Sequence, residues 1–104
     1  MSRKENKGKR MKREELLENA KNICCNERED IYGNPENNFN KIAGYWNETL
    51  SKKLIEPITG EDAAKMMCLM KIARMDNGKF NKDNYIDAAA YIALAFECRV
   101  NEDF

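Results

Sequence analysis

Lys71 and Arg74 stand three residues apart within a run of methionine, leucine and alanine, and a helix puts both on one face. Cations in so apolar a setting need a carboxylate or an anionic ligand, because burying them unpaired is costly. An acid in a comparable setting lies downstream. Asp87 is flanked by Ile86, Ala88, Ala89, Ala90 and Tyr91, so it must meet Lys71, Arg74, a metal ion or a ligand group. Asp83 precedes it by four residues on the same helical face, with Asn84 alongside. Asp83 also suits the N-cap of a helix. Two readings of Asp87 stay open: an internal ion pair, or part of a ligand site. A further group comprises Arg28, Tyr32 and Gly33, with Asn34 beyond. Gly33 permits a sharp turn or the close approach of a ligand, and Tyr32 offers a ring with a hydroxyl handle. A tight turn between two helices accounts for the same residues equally well.

The elements that must position these groups are all helical. Leu16, Leu17, Ala20, Ile23, Cys24 and Ile31 recur near the helical period and predict a first helix over 12–30. Tyr32-Gly33 breaks it, and Asn34-Pro35 reads as a cap followed by a first-turn proline. A second helix over 35–54 then carries Phe39, Ile42, Ala43, Trp46 and Leu50 on one face. Glu56-Pro57-Ile58 forces an extended connection. Thr59 and Asp62 stand where the two halves of a capping box belong, opening a third helix with Ala63, Met66, Met67, Leu69, Met70 and Ala73. Asp76-Asn77-Gly78 is turn chemistry. A fourth helix starts near Asn81 or Asp83 and runs to about Val100. Its centre, from Tyr85 to Phe96, is apolar almost all round except for Asp87, so it is central to a bundle or shared with a second subunit. A chain of 104 residues can cover only so much apolar surface, and a homodimer is expected. No strand-like alternation and no repeat interrupt this all-α, four-helix bundle-like plan.

Composition agrees with one domain, at 42% hydrophobic and 35% charged residues. No apolar run approaches the ~20 residues that span a bilayer, and no signal-peptide pattern follows the start, so a cytoplasmic protein is expected, with no membrane partner. Cys24 and Cys25 are neighbours and cannot easily pair, no CxxC spacing occurs, and the chain has no histidine, which leaves a zinc site short of ligands. Cys68 and Cys98 fall in apolar helical stretches, where a reduced thiol behaves as a small hydrophobe. The net charge is zero but unevenly spread. Arg3, Lys4, Lys7, Lys9, Arg10, Lys12 and Arg13 face only Glu5 in the first 13 residues, a local charge of +6 that the rest of the chain balances with −6. This division suggests a flexible basic arm over 1–12 and a helical domain over 13–104. The arm can touch nucleic acid or a host protein, or serve as a solvated tail lying on the acidic body.

Arg28…Tyr32-Gly33-Asn34-Pro35-Glu36-Asn37-Asn38-Phe39, Ile42-Ala43…Trp46, Asp62…Met66-Met67, Lys71-Ile72-Ala73-Arg74 and Asp83-Asn84-Tyr85-Ile86-Asp87…Tyr91 together resemble a family of short phage and prophage helical proteins of unknown function. The resemblance runs from Cys24 to Cys98 and implies a phage origin, hence the host cytoplasm as the place of action. A second, weaker resemblance is to the all-α nucleoside-triphosphate pyrophosphatases of the MazG and dCTP-pyrophosphatase type. Asn84-Tyr85-Ile86-Asp87-Ala88-Ala89-Ala90-Tyr91 is similar to their late ExxD helix, with Asn84 where Glu is expected. Their earlier ExxE pair has no counterpart, since the third helix offers Glu61, Asp62, Lys71 and Arg74. Magnesium requires several oxygen ligands in near-octahedral array, and exchanging carboxylates for cations favours an anion instead.

The leading expectation is therefore a binding protein whose dimeric cleft takes a nucleotide or similar small anion and which needs no cofactor. Lys71 and Arg74 would meet phosphate, and Tyr32 or Trp46 would stack on a base. Asp87 would orient the cations or accept from the ligand, with Arg28, Asp83, Asn84 and Tyr91 lining the same site. Such a protein would serve nucleotide metabolism or withhold a nucleotide signal from host defence. The alternatives are a magnesium-dependent pyrophosphatase holding its metal with Asp62, Asp83 and Asp87, and an inhibitor that binds a host enzyme.

Overall fold

The computed structural model describes residues 11–27 and 33–103, and every regular element within them is helical. Helix α1 covers Arg13–Lys21 and continues as a wider π-helical stretch, Asn22–Glu27. It starts where the Glu15 carboxylate accepts the Lys12 backbone N–H at 3.1 Å. Within the expected single α-helix over 12–30, residues 22–27 instead form turns that hold an extra residue, and residues 28–30 lie outside the described residues. The 3.6-residue period no longer applies there. Cys24 stays buried while Ile23 and Leu17, expected on the inner face, are exposed.

Helix α2 spans Pro35–Thr49. Asn34 caps it by accepting the Asn37 N–H at 3.3 Å, and Pro35 occupies the first turn, where its missing N–H costs nothing. The helix ends short of the expected residue 54. Ser51, Lys52 and Lys53 have no apolar face to bury, and the Leu50 carbonyl instead closes a turn by accepting the N–H groups of Lys53 and Leu54. The extended connection beyond is latched by Asn47. Its amide donates to the Ile58 carbonyl at 3.0 Å and accepts the Ile58 N–H at 2.8 Å.

Helix α3, Gly60–Met75, opens with the expected capping box: Thr59 Oγ1 accepts from Asp62 N at 3.1 Å, and Asp62 Oδ2 accepts from Thr59 N at 2.9 Å. Gly60 lies so close to α2 that an added Cβ would stand 2.5 Å from Asn40 Oδ1. Ala63 and Ala64, fully buried, continue this close approach. After α3, Gly78 adopts φ 70°, a left-handed conformation that turns the chain at almost no steric cost only when no Cβ is present. Helix α4, Lys82–Asp103, then runs back along α3. Asn81, rather than Asp83, caps it, its side chain accepting the Asp83 N–H at 2.9 Å.

The α3–α4 hairpin is the base of the fold; α2 packs across α3 and more lightly on α4, and α1 packs on α4. The core joins Phe39 and Ala43 of α2, Ala63 and Ala64 of α3, and Ile86, Ala90, Leu94, Ala95 and Cys98 of α4, with Ala20 and Cys24 from the first segment. Phe39 is only 1% exposed and meets Tyr91 edge-on, with ring centroids 6.3 Å apart. The plan of four packed helices agrees with the sequence expectation. Among the described residues no helix is long and apolar enough to cross a membrane.

Candidate functional site

Two side chains from the predicted set meet across the hairpin. Lys71 Nζ lies 3.0 Å from Asp87 Oδ2, with the two side chains 15% and 30% exposed. Helix α3 supplies the cation and α4 the anion, and neither is sealed from water. Asn84, Asp87 and Tyr91 follow one another at intervals of three and four, so they form one line along α4, and all three are half-buried. Tyr91 ends that line against Phe39. Arg74 stands one turn beyond Lys71, exposed, and with no ion pair among the described residues. Along this polar seam Lys71 is neutralised by Asp87, and Arg74 is an exposed cation one turn further along α3.

The remaining predicted residues are distributed elsewhere. Asp83 is exposed in the first turn of α4, where a negative charge favours the helix N-terminus. Trp46 is half-buried on α2 and packs against the core. Asp62 is occupied by its capping box with Thr59. Arg28 and Tyr32 lie outside the described residues, as does the basic arm up to residue 10. Gly33 has φ 76°, which fits the turn read from the sequence.

A second ionic cluster was not anticipated. Glu61, only 15% exposed, accepts Arg99 at 2.9 and 3.2 Å and lies 3.2 Å from Lys65. The Glu61–Lys65 half carries a sequence signal, the i,i+4 spacing. Arg99 is 38 residues away and becomes a partner only through the hairpin register. Of the cysteines, Cys25 is exposed and the other three are buried. Burial pushes the Cys68 thiol above its ordinary value of 9.0 and keeps it neutral. Among the described residues no three His, Cys, Asp or Glu side chains gather as a metal site.

A family model described as "Domain of unknown function (DUF6378)" matches residues 15–99, taking in all four helices and the seam. The chain belongs to this family. Its DUF6378 domain is similar to the "Gene 55 protein" of Mycobacterium phage D29, 37% identical over 78 residues, which are 75% of this chain and 49% of that protein. It is also similar to the "Gene 55 protein" of Mycobacterium phage L5, 36% identical over 89 residues, which are 85% of this chain and 54% of the relative. The chain thus spans about half the length of the curated relatives it matches. No solved structure matches it. The phage-family resemblance read from the motifs is borne out by these relatives; the likeness to all-α pyrophosphatases gains no support from them.

Proposed function

We propose that this DUF6378 protein is a phage-type binding protein for a small anionic ligand of the nucleotide class. One observation carries the reading: the Lys71–Asp87 pair is partly open to water, with the exposed Arg74 one turn further along α3. Closing the pair over completely would cost both ions their hydration, whereas at the boundary they keep their attraction and Lys71 stays reachable by a competing anion. A pair at the boundary, beside a second cation, suits a group that exchanges partners. A phosphate entering the seam would take Lys71 from Asp87 and engage Arg74, while Asn84 and Tyr91 offer it or its base hydrogen-bonding and ring surface. A phage protein of this kind would act in nucleotide metabolism or by withholding a nucleotide from host defence.

Binding is favoured over metal-dependent cleavage because two of the three carboxylates that cleavage would use have other commitments, and the third stands apart in the first turn of α4. Asp62 is tied to Thr59, Asp87 to Lys71, and Asp83 stands exposed at the helix start. Lys71 and Arg74 can neutralise phosphate without metal, but neither can generate hydroxide at neutral pH. The test is a thermal-shift screen of nucleoside mono-, di- and triphosphates and cyclic dinucleotides, in magnesium and in EDTA. Stabilisation that survives EDTA and is lost in a folded Lys71→Ala, Arg74→Ala variant is expected. Magnesium-dependent release of pyrophosphate that disappears in Asp87→Asn would replace the binder by an enzyme.

A further inference from the structure

The outer face of the α3–α4 hairpin carries apolar side chains that the fold leaves in water. On α4 these are Tyr85, Ile92 and Phe96, at 41%, 51% and 69% exposure, with the half-buried Ala89 in line between them. On α3 they are Met66, Leu69 and Ile72, at 39%, 60% and 43%. Phe80, 63% exposed, extends the face at the turn, its ring centroid 5.7 Å from that of Tyr85. Taking roughly 200 Å² for a full side chain, these exposures leave about 700 Å² of apolar surface, close to what each partner contributes to a standard stable interface.

Phe80 aside, the spacing of these residues is symmetric. Along α4 the intervals from Tyr85 to Ala89, Ile92 and Phe96 are four, three and four, which read the same in either direction. Along α3, Met66 and Ile72 lie three residues to either side of Leu69. The two patterns also share a centre. Glu61 meets Arg99 near one end of the hairpin and Lys71 meets Asp87 near the other. Between these two rungs the antiparallel register brings Leu69 level with residues 89–90, within about one residue of the midpoint between Ala89 and Ile92. A surface patterned symmetrically about one level on both helices is complementary to a second copy of itself, turned by a two-fold axis.

We infer that this face is an isologous interface with a second copy of the chain, its two-fold axis crossing the hairpin at Leu69. Helix α4 then lies antiparallel to the partner's α4, so that Tyr85 packs against the partner's Phe96 and Ala89 against the partner's Ile92. On α3, Met66 faces the partner's Ile72 and Leu69 faces its own counterpart. The small Ala89 lets the two α4 helices approach at the centre, and the aromatic rings close the interface at both ends.

Light scattering of the full chain at micromolar concentration should give twice the 12.1 kDa chain mass. Leu69→Lys, at an already exposed position, should give the monomer with an unchanged helical circular-dichroism spectrum. In a Cys25→Ser background, Leu69→Cys should form a disulfide-linked dimer under mild oxidation, because a residue on a two-fold axis meets itself. Tyr85→Cys and Phe96→Cys should crosslink when the two single variants are mixed. A monomeric wild type would overturn the inference and leave the face to another occupant, the chain's own basic arm or a host protein. A dimer that withstands Leu69→Lys would overturn it too, as would one whose Leu69→Cys form fails to crosslink.

Discussion

Replacing Asp87 by Asn removes a charge from the seam while keeping the shape of the side chain, and so isolates what the Lys71–Asp87 pair contributes. An exposed pair contributes about 0–1 kcal/mol, whereas breaking a buried one costs about 3–5 kcal/mol. With Lys71 15% and Asp87 30% exposed at a separation of 3.0 Å, this pair falls between those limits. The buried-pair cost must therefore be scaled down, and Asp87→Asn should lower unfolding stability by about 2 kcal/mol. The two partners should not be equivalent. Lys71 is the less exposed, so stranding its ammonium costs more than stranding the better-hydrated carboxylate. Lys71→Met should thus cost less than Asp87→Asn, and the double variant should recover part of the combined loss, a coupling of about 1–2 kcal/mol. Urea unfolding of the four proteins followed by circular dichroism measures this directly, at one fixed protein concentration because association would add to apparent stability. Raising the salt should shrink the coupling without abolishing it, since a half-buried pair is screened less than an exposed one. Additive single effects, with a coupling within about 0.3–0.5 kcal/mol of zero, would refute the assignment of the pair as a stabilising contact.

Asn47→Ala should cost about 2 kcal/mol in urea unfolding, because it releases both hydrogen bonds that latch Ile58, each worth about 1 kcal/mol. Gly78→Ala should cost about 1–2 kcal/mol, all of it backbone strain, since φ is 70° and nothing lies within 4 Å of the added Cβ. A thiol reagent at neutral pH should modify Cys25 rapidly and the three buried cysteines only on unfolding, so that Cys25→Ser removes the fast phase. Because the fold favours the neutral Cys68 thiol, its contribution is complete below pH 9.0 and falls as pH rises beyond; Cys68→Ala should reduce that alkaline loss in unfolding measured against pH.

Helix boundaries were legible wherever a cap announced them. Asn34-Pro35, the Thr59–Asp62 box and the Asp76-Asn77-Gly78 turn all appear where local chemistry puts them, because caps are decided within four residues. The π-helical stretch after Lys21 was not legible. Its residues, Asn22 to Glu27, are mostly weak helix formers, but weak propensity does not say how many fit in each turn; packing settles that. The meeting of Lys71 with Asp87 was legible as a need, since each was an ion among apolar neighbours. Its geometry was not, because partial burial depends on how the helices pack around the hairpin. The Asn47 latch and the Glu61–Arg99 pair were hidden for a similar reason. Both are side-chain contacts across a distance in sequence that only the tertiary fold closes.

The sequence suggested one cleft shared between subunits, but helical phase separates the two features. Lys71 and Leu69 are two residues apart on α3, which places them on nearly opposite sides of that helix, and Asp87 stands far round α4 from the line of Ile92 and Phe96. Tyr91 of the charged seam meets Phe39, so the seam lies on the side that α2 covers, while the apolar residues of the hairpin's other side stay exposed. If both proposals hold, a dimer carries two independent seams, each built from one chain. Binding should then show one ligand per chain with no cooperativity beyond what the common fold transmits, and the Leu69→Lys monomer should bind as the wild type does. Isothermal titration of both proteins measures stoichiometry and affinity together. A ligand-to-chain ratio of one half, or affinity lost with the dimer while helicity is retained, would refute the separation and return the ligand to a cleft between subunits.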